Sequence, residues 1–163
     1  MNIYELHSRP EELEGYAERM YHVPEIAYIR LEHFPDDERA IDCIAKDAKW
    51  SYWYAKDILH GRFPAGEPEI AKNAGMSYNY ALDVIKGRFP AGEPELAKNI
   101  YLAGRYAVDV INGRFRAAEP NIRKYMDMSK EEMNAASNRG DHVLSKDIRY
   151  ARFYKRDVLH EPI

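Results

Sequence analysis

Aspartates recur at one position of this sequence, as Asp57, Asp83, Asp109 and Asp157, and arginines follow the first three five residues later, as Arg62, Arg88 and Arg114. A carboxylate and a guanidinium at fixed spacing admit two chemistries. Each Asp can pair with an Arg of its own or the adjacent unit, with the guanidinium also reaching carbonyls at a helix end. Alternatively, the arginines form a ladder for phosphates, as a nucleic-acid or nucleotide binder would need. Packed helices sit about 8–10 Å apart, whereas phosphates along one strand rise about 3.4 Å. Such a ladder would meet about every third phosphate, so the ion-pair reading is the stronger.

Aromatic residues are the second resource, with 13 Tyr, 5 Phe and 2 Trp, more than corner and core positions use. Tyr52, Trp53 and Tyr78 fall off the apolar face of their helices, and Trp50 does so in part. Tyr and Trp outside a core are enriched among binding anchors. Together with Arg105 they are the expected partner-binding residues. The histidines, His7, His22, His33, His60, His142 and His160, show no metal-ligand spacing. No GxSxG, Walker loop or GxGxxG is present. An enzyme is therefore not expected, and neither is a metal or a cofactor.

The elements that hold these residues are visible as a repeat. "AKDAKWSYWYAKDILHGRFPAGEPEI" from Ala45, "AKNAGMSYNYALDVIKGRFPAGEPEL" from Ala71 and "AKNIYLAGRYAVDVINGRFRAAEPNI" from Ala97 align without gaps at a period of 26 residues. "SKDIRYARFYKRDVLH" from Ser145 repeats the first half, and "FPDDERAI" from Phe34 echoes the corner. Each unit reads as two helices. Asp47, Asn73, Asn99 and Asp147 are expected N-caps. Tyr54, Tyr80, Tyr106 and Tyr154 share the apolar face with the alanines that follow the first three of them. Phe63, Phe89 and Phe115 are expected to plug the corners. Gly61, Gly87 and Gly113 are expected in the left-handed position that ends the first helix. Pro68, Pro94 and Pro120 suit the first turn of the second. Units that cannot bury an apolar face alone bury it against their neighbours. The expected fold is all-α, an α-solenoid of about five two-helix repeats. Its expected parts are acidic capping helices over 1–33, tandem repeats over 34–122, and a degenerate repeat with a C-terminal capping repeat over 123–163.

The pattern SYxYAxD, then (I/V)(L/I)xGRFPAGEPxxAK, resembles tandem-repeat proteins of tailed bacteriophages, built from YAxD(V/I)(I/L)xGR(F/W)PxxEP units. The similarity covers residues 34–122 and 145–160. It implies a phage accessory protein in the cytoplasm of an infected bacterial host. The expected partner is a host protein of defence or regulation. The resemblance supplies no catalytic residues.

Charge and composition fit that reading. With 45% hydrophobic and 31% charged residues, the chain is that of a globular protein. Its net charge of −3 excludes a strongly basic nucleic-acid binder. No apolar run approaches the roughly 20 residues that span a bilayer, so no membrane partner is expected. The opening "MNIYELHSRPEELEG" has no basic n-region or apolar h-region, so no secretory leader is expected. The single Cys43 reads as a small buried residue. Residues 1–44 carry a balance of −7, with Glu11, Glu12, Glu14 and Glu18 crowded behind the capping-box spacing of Ser8–Glu11. Residues 122–163 carry +2, with Lys146, Arg149, Arg152, Lys155 and Arg156 on one stretch. Unlike ends permit head-to-tail self-association.

Overall fold

A computed structural model describes residues 21–161 of the chain. The acidic cluster Glu11–Glu18 and the Ser8–Glu11 capping box lie outside the described residues. All regular structure within them is helical. The elements are α1 (Pro24–His33), α2 (Glu38–Ile44), α3 (Ala48–Trp53), α4 (Glu67–Ala71), α5 (Ala74–Asn79), α6 (Glu93–Leu96), α7 (Ile100–Tyr106), α8 (Glu119–Met126), α9 (Lys130–Asn138) and α10 (His142–Asp157). Three short π-helices, Tyr54–Ile58, Tyr80–Ile85 and Ala107–Ile111, continue α3, α5 and α7.

The repeat writes its own start signals. Asp47, Asn73 and Asn99 accept from the backbone N–H of Trp50, Met76 and Leu102, satisfying a donor that has no partner inside the helix. Asp147 does not cap. It lies inside α10, whose cap is Asp141, accepting from Leu144 N, because the helix runs through the position where the other units begin theirs. Pro68, Pro94 and Pro120 occupy the first turn of α4, α6 and α8, as expected.

The helix ends depart from expectation. The left-handed residue is not the glycine but the one before it: His60, Lys86, Asn112 and His160 all have φ between 50° and 57°. The last turn is wide, with Leu59 N donating to Tyr54 O, and the glycine amide closes it, Gly61 N donating to Ala55 O at 3.0 Å. Gly87 N to Ala81 O and Gly113 N to Ala107 O repeat this closure. In the fourth copy Glu161 N makes the same bond to Lys155 O, so the closing donor need not be a glycine.

Neighbouring first helices touch: α3 packs on α5, α5 on α7, and α7 on α10. Ala55, Tyr80, Ala81, Tyr106, Ala107 and Tyr154 are fully or almost fully buried along this seam, while Leu59, at the outer end of the predicted stripe, is 46% exposed. Cys43 is buried. The tyrosine that follows the third corner is Tyr154, although α9 and the start of α10 intervene. Phe115 N donates to its hydroxyl across 39 residues, where the earlier corners bridge 17. The extra helix α9 packs along α10. Among the described residues no helix is long and apolar enough to cross a membrane.

Candidate functional site

Arg62, Arg88 and Arg114 come just after the chain has turned, so each faces the glutamate that opens the next helix. Arg62 forks onto Glu67 with Nε and a terminal nitrogen, both at 2.8 Å, and Arg88 does the same to Glu93. Arg114 holds Glu119 at 2.8 and 2.6 Å. This overturns the expected pairing with Asp57, Asp83 and Asp109. It also makes each rung of a phosphate ladder a neutral bidentate pair, with two of the guanidinium's three nitrogens already engaged.

Each glutamate has a further partner. The hydroxyl of Tyr80 donates to Glu67 at 2.9 Å while accepting from Phe63 N at 2.7 Å, and Tyr106 relates likewise to Glu93 and Phe89 N. The tyrosine of one unit therefore caps the corner of the unit before it. Phe63, Phe89 and Phe115 plug those corners, buried with their rings about 5 Å from the rings of Tyr54, Tyr80 and Tyr106.

The aspartates have their own partners. Tyr78 Oη donates to Asp109 at 2.6 Å and Tyr52 Oη donates to Asp83, each pair separated by 31 residues. Lys56 Nζ completes the Asp83 site at 2.9 Å and Arg105 Nε the Asp109 site at 2.6 Å. Tyr52 and Tyr78 are thus not outward anchors. They are 3% and 9% exposed, because a helix in the middle of the row is covered from both sides and not along one stripe. Trp53 is half-buried against Tyr52, and Arg105 is exposed, as expected. Asp57 is exposed and makes no hydrogen bond or ion pair among the described residues.

Burial and hydrogen bonding set the titration of these groups. The Arg62 fork holds the Glu67 carboxyl below the usual carboxylate range, as Arg88 does Glu93. Hydrogen bonds from Tyr52 and Lys56 lower Asp83. Burial pushes Asp109 up, but hydrogen bonds from Tyr78 and Arg105 outweigh it and leave it lowered. Burial pushes Tyr80, Tyr106 and Tyr154 up to about 12. The unfolded tyrosines ionise near 10 and the unfolded glutamates near 4.3. On the alkaline side the folded state retains protons that the unfolded state loses, so stability is full below about pH 10 and falls as pH rises toward 12. On the acid side stability is full above about pH 4.3 and falls as pH drops through the lowered carboxylate values. A thermal-unfolding profile should therefore be flat from about pH 5 to 9 and drop beyond both ends. Tyrosinate absorbance should rise together with loss of helicity. Titration of all tyrosines near 10 with the helices intact would contradict this account.

One position breaks the row. Tyr52 and Tyr78 are followed, at the same 26-residue step, by Gly104. Beside it, between α7 with its π-helix and α10, opens a groove of about 520 Å³ lined by Tyr101, Arg105, Val108, Asp109, Arg149, Tyr150 and Phe153. Comparison with protein-family models, curated proteins and solved structures finds no match. The groove's chemistry must therefore be read from its own residues.

The rings of Tyr101 and Tyr150 pack with centroids 4.5 Å apart, tilted 40° to each other. Arg105 spends its charge on Asp109, while Arg149 has no partner among the described residues. An adjoining hollow shares Arg149 and Phe153 and adds Lys130, Met133, Arg152 and Arg156. Arg152 donates to the carbonyl of Met128 and its charge acts on the nearby Glu131 carboxylate. The groove is lined by three aromatic rings and by Arg149, whose charge has no partner among the described residues. Among the described residues no group of three His, Cys, Asp or Glu side chains is placed to hold a metal. Of the residues expected to bind a partner, only Arg105 lines this groove. Tyr101, Tyr150 and Phe153 escaped the sequence reading, and the missing tyrosine at Gly104 was the signal that could have found them.

Proposed function

We propose that this chain is a phage-encoded accessory protein, a short α-solenoid that docks onto a host macromolecule through the groove between α7 and α10. The solenoid reading is supported by contacts that recur at fixed separations, 17 residues for tyrosine to corner and 31 for tyrosine to aspartate. Phage origin and action in the cytoplasm of an infected host rest on the repeat motif. The partner is a protein with an acidic surface, in keeping with a role against host defence or regulation. The observation that carries the docking reading is the groove itself: a recess lined by Tyr101, Tyr150 and Phe153 with Arg149, unpaired among the described residues, in its wall. Aromatic and arginine side chains clustered about a recess are the setting in which protein interfaces seat their main anchors. The remaining perturbed carboxylates and tyrosines bond chiefly to one another, which favours a binding module over a catalyst.

The test is a tagged pull-down from nuclease-treated bacterial lysate, comparing wild type with Arg149→Glu and with Arg116→Glu, an exposed arginine outside the groove. A protein retained by wild type and Arg116→Glu but lost by Arg149→Glu is expected. The substitution reverses an unpaired charge, so the fold should stand. Equal retention by all three proteins would remove the groove from the function. Retention of nucleic acid in untreated lysate, with steep salt dependence, would favour a nucleic-acid binder instead. Recovery of the bait's own untagged copies would favour head-to-tail assembly.

A further inference from the structure

The row of tyrosines supplies a template for what the groove holds. In two successive units a ring packs between neighbouring first helices, and its hydroxyl donates to the aspartate 31 residues on, beside a cation. Tyr52 meets Asp83 with Lys56, and Tyr78 meets Asp109 with Arg105. The third unit retains the aspartate, with Arg156 forked onto Asp157 at 2.7 and 2.6 Å, although Val108 and Phe153 stand at the positions that Lys56 and Arg105 hold in the earlier pairs. It lacks the ring, since Gly104 stands in the tyrosine's place. A Cβ built on Gly104 meets nothing closer than Phe153 Cδ1 at 3.9 Å, an ordinary contact. Val108 lines both the groove and the small hollow that contains Asp157, so the two adjoin at that residue.

We propose that this vacancy receives a tyrosine side chain from the partner, its ring beside Gly104 and its hydroxyl donating to Asp157. The inference rests on the docking function above and names its anchor. Aromatic anchors in a desolvated pocket dominate many interfaces, and a buried tyrosine hydroxyl needs an acceptor, which Asp157 offers. Arg149 lines the groove, and Lys146 lies over the Tyr101 ring. The residues around the partner tyrosine are accordingly acidic.

The probe is a capped pentapeptide, Glu-Glu-Tyr-Glu-Glu, titrated into the full chain beside its Phe and Ala counterparts and followed by amide resonances of Gly104 and Phe153. The Tyr peptide should bind at least about tenfold tighter than the Ala peptide, with the Phe peptide between them. Gly104→Tyr supplies the ring internally, so it should raise thermal stability and abolish the Tyr-over-Ala preference. Asp157→Ala, at a residue exposed to solvent, should abolish only the Tyr-over-Phe preference. It keeps the test decisive should Gly104→Tyr misfold. Equal, salt-sensitive binding of Tyr and Ala peptides by wild type would overturn the anchor while leaving an acidic partner standing. No binding of any peptide, with a pull-down indifferent to Arg149→Glu, would overturn both.

Discussion

Tyr106→Ala should lower the unfolding free energy by about 3–5 kcal/mol, the range for deleting a buried aromatic side chain. That is a large share of the roughly 5–15 kcal/mol that holds a domain together. Tyr106 is fully buried between units, and its hydroxyl is the hub that ties one unit to the corner before it. Tyr106→Phe isolates the hydroxyl. It keeps the ring but leaves Phe89 N without its acceptor at a buried site, and it removes one donor from Glu93. An unmade hydrogen bond at a buried group costs about 1–3 kcal/mol. Chemical denaturation at neutral pH should place the Phe variant between wild type and the Ala variant. The loss falls on the contact between successive units, so unfolding should also become less cooperative. A Tyr106→Phe variant within about 0.5 kcal/mol of wild type would show that the amide finds another partner and that the hub is dispensable. Tyr154→Phe tests the same chemistry across the insertion. Its hydroxyl accepts from Phe115 N at 2.8 Å, so a similar cost is expected although the sequence separation is more than doubled.

What the sequence made legible follows the range of the physics involved. The period, the N-caps at Asp47, Asn73 and Asn99, the first-turn prolines and the corner phenylalanines obey rules that act within a few residues. All of them are found in place. The Asp–Arg pairing failed because the chain reverses between the two residues. The reversal carries Arg62 away from Asp57 and toward Glu67, which is also five residues distant but on the far side of the turn. Tyr52 and Tyr78 were misplaced because a single-stripe helical wheel assumes one buried side and a uniform turn. Each first helix has neighbours before and after it, and its second half widens into a π-helix. The groove was the least legible. It depends on Arg149, Tyr150 and Phe153 of α10, which reach α7 only because the intervening α9 is bypassed.

Gly92→Ala should destabilise by about 1–3 kcal/mol, and Ser77→Ala should partly rescue it. A Cβ at Gly92 would sit 2.4 Å from Ser77 Oγ, 2.6 Å from Ser77 Cβ and 2.7 Å from Phe89 Cδ1, far inside contact distance. Overpacking of a tight core costs about 1–3 kcal/mol. The close approach is held by a hydrogen bond, Ser77 Oγ donating to Ile70 O at 2.9 Å, just as Ser51 donates to Ile44 O at 2.8 Å beside Gly66. The third unit solves the same contact differently, with Ala118 in the glycine's place and Ala103 in the serine's, both fully buried. Glycine with serine, and alanine with alanine, are therefore two self-consistent packings of one interface. Crossing them creates the conflict. Ser77→Ala alone loses one hydrogen bond, worth about 0.5–1.5 kcal/mol. In the double variant the serine no longer pins the helix close, so the chain can relax to the spacing that the third unit already uses. The double variant should be more stable than the sum of the single losses allows, by about 0.5–3 kcal/mol of coupling. Additivity within about 0.3 kcal/mol would mean that serine and glycine vary independently, and that the spacing between a first helix and its corner is set elsewhere. Ala103→Ser supplies the reverse cross, since it places a hydroxyl against Ala118 with no glycine to admit it, and it should destabilise the third unit for the same reason.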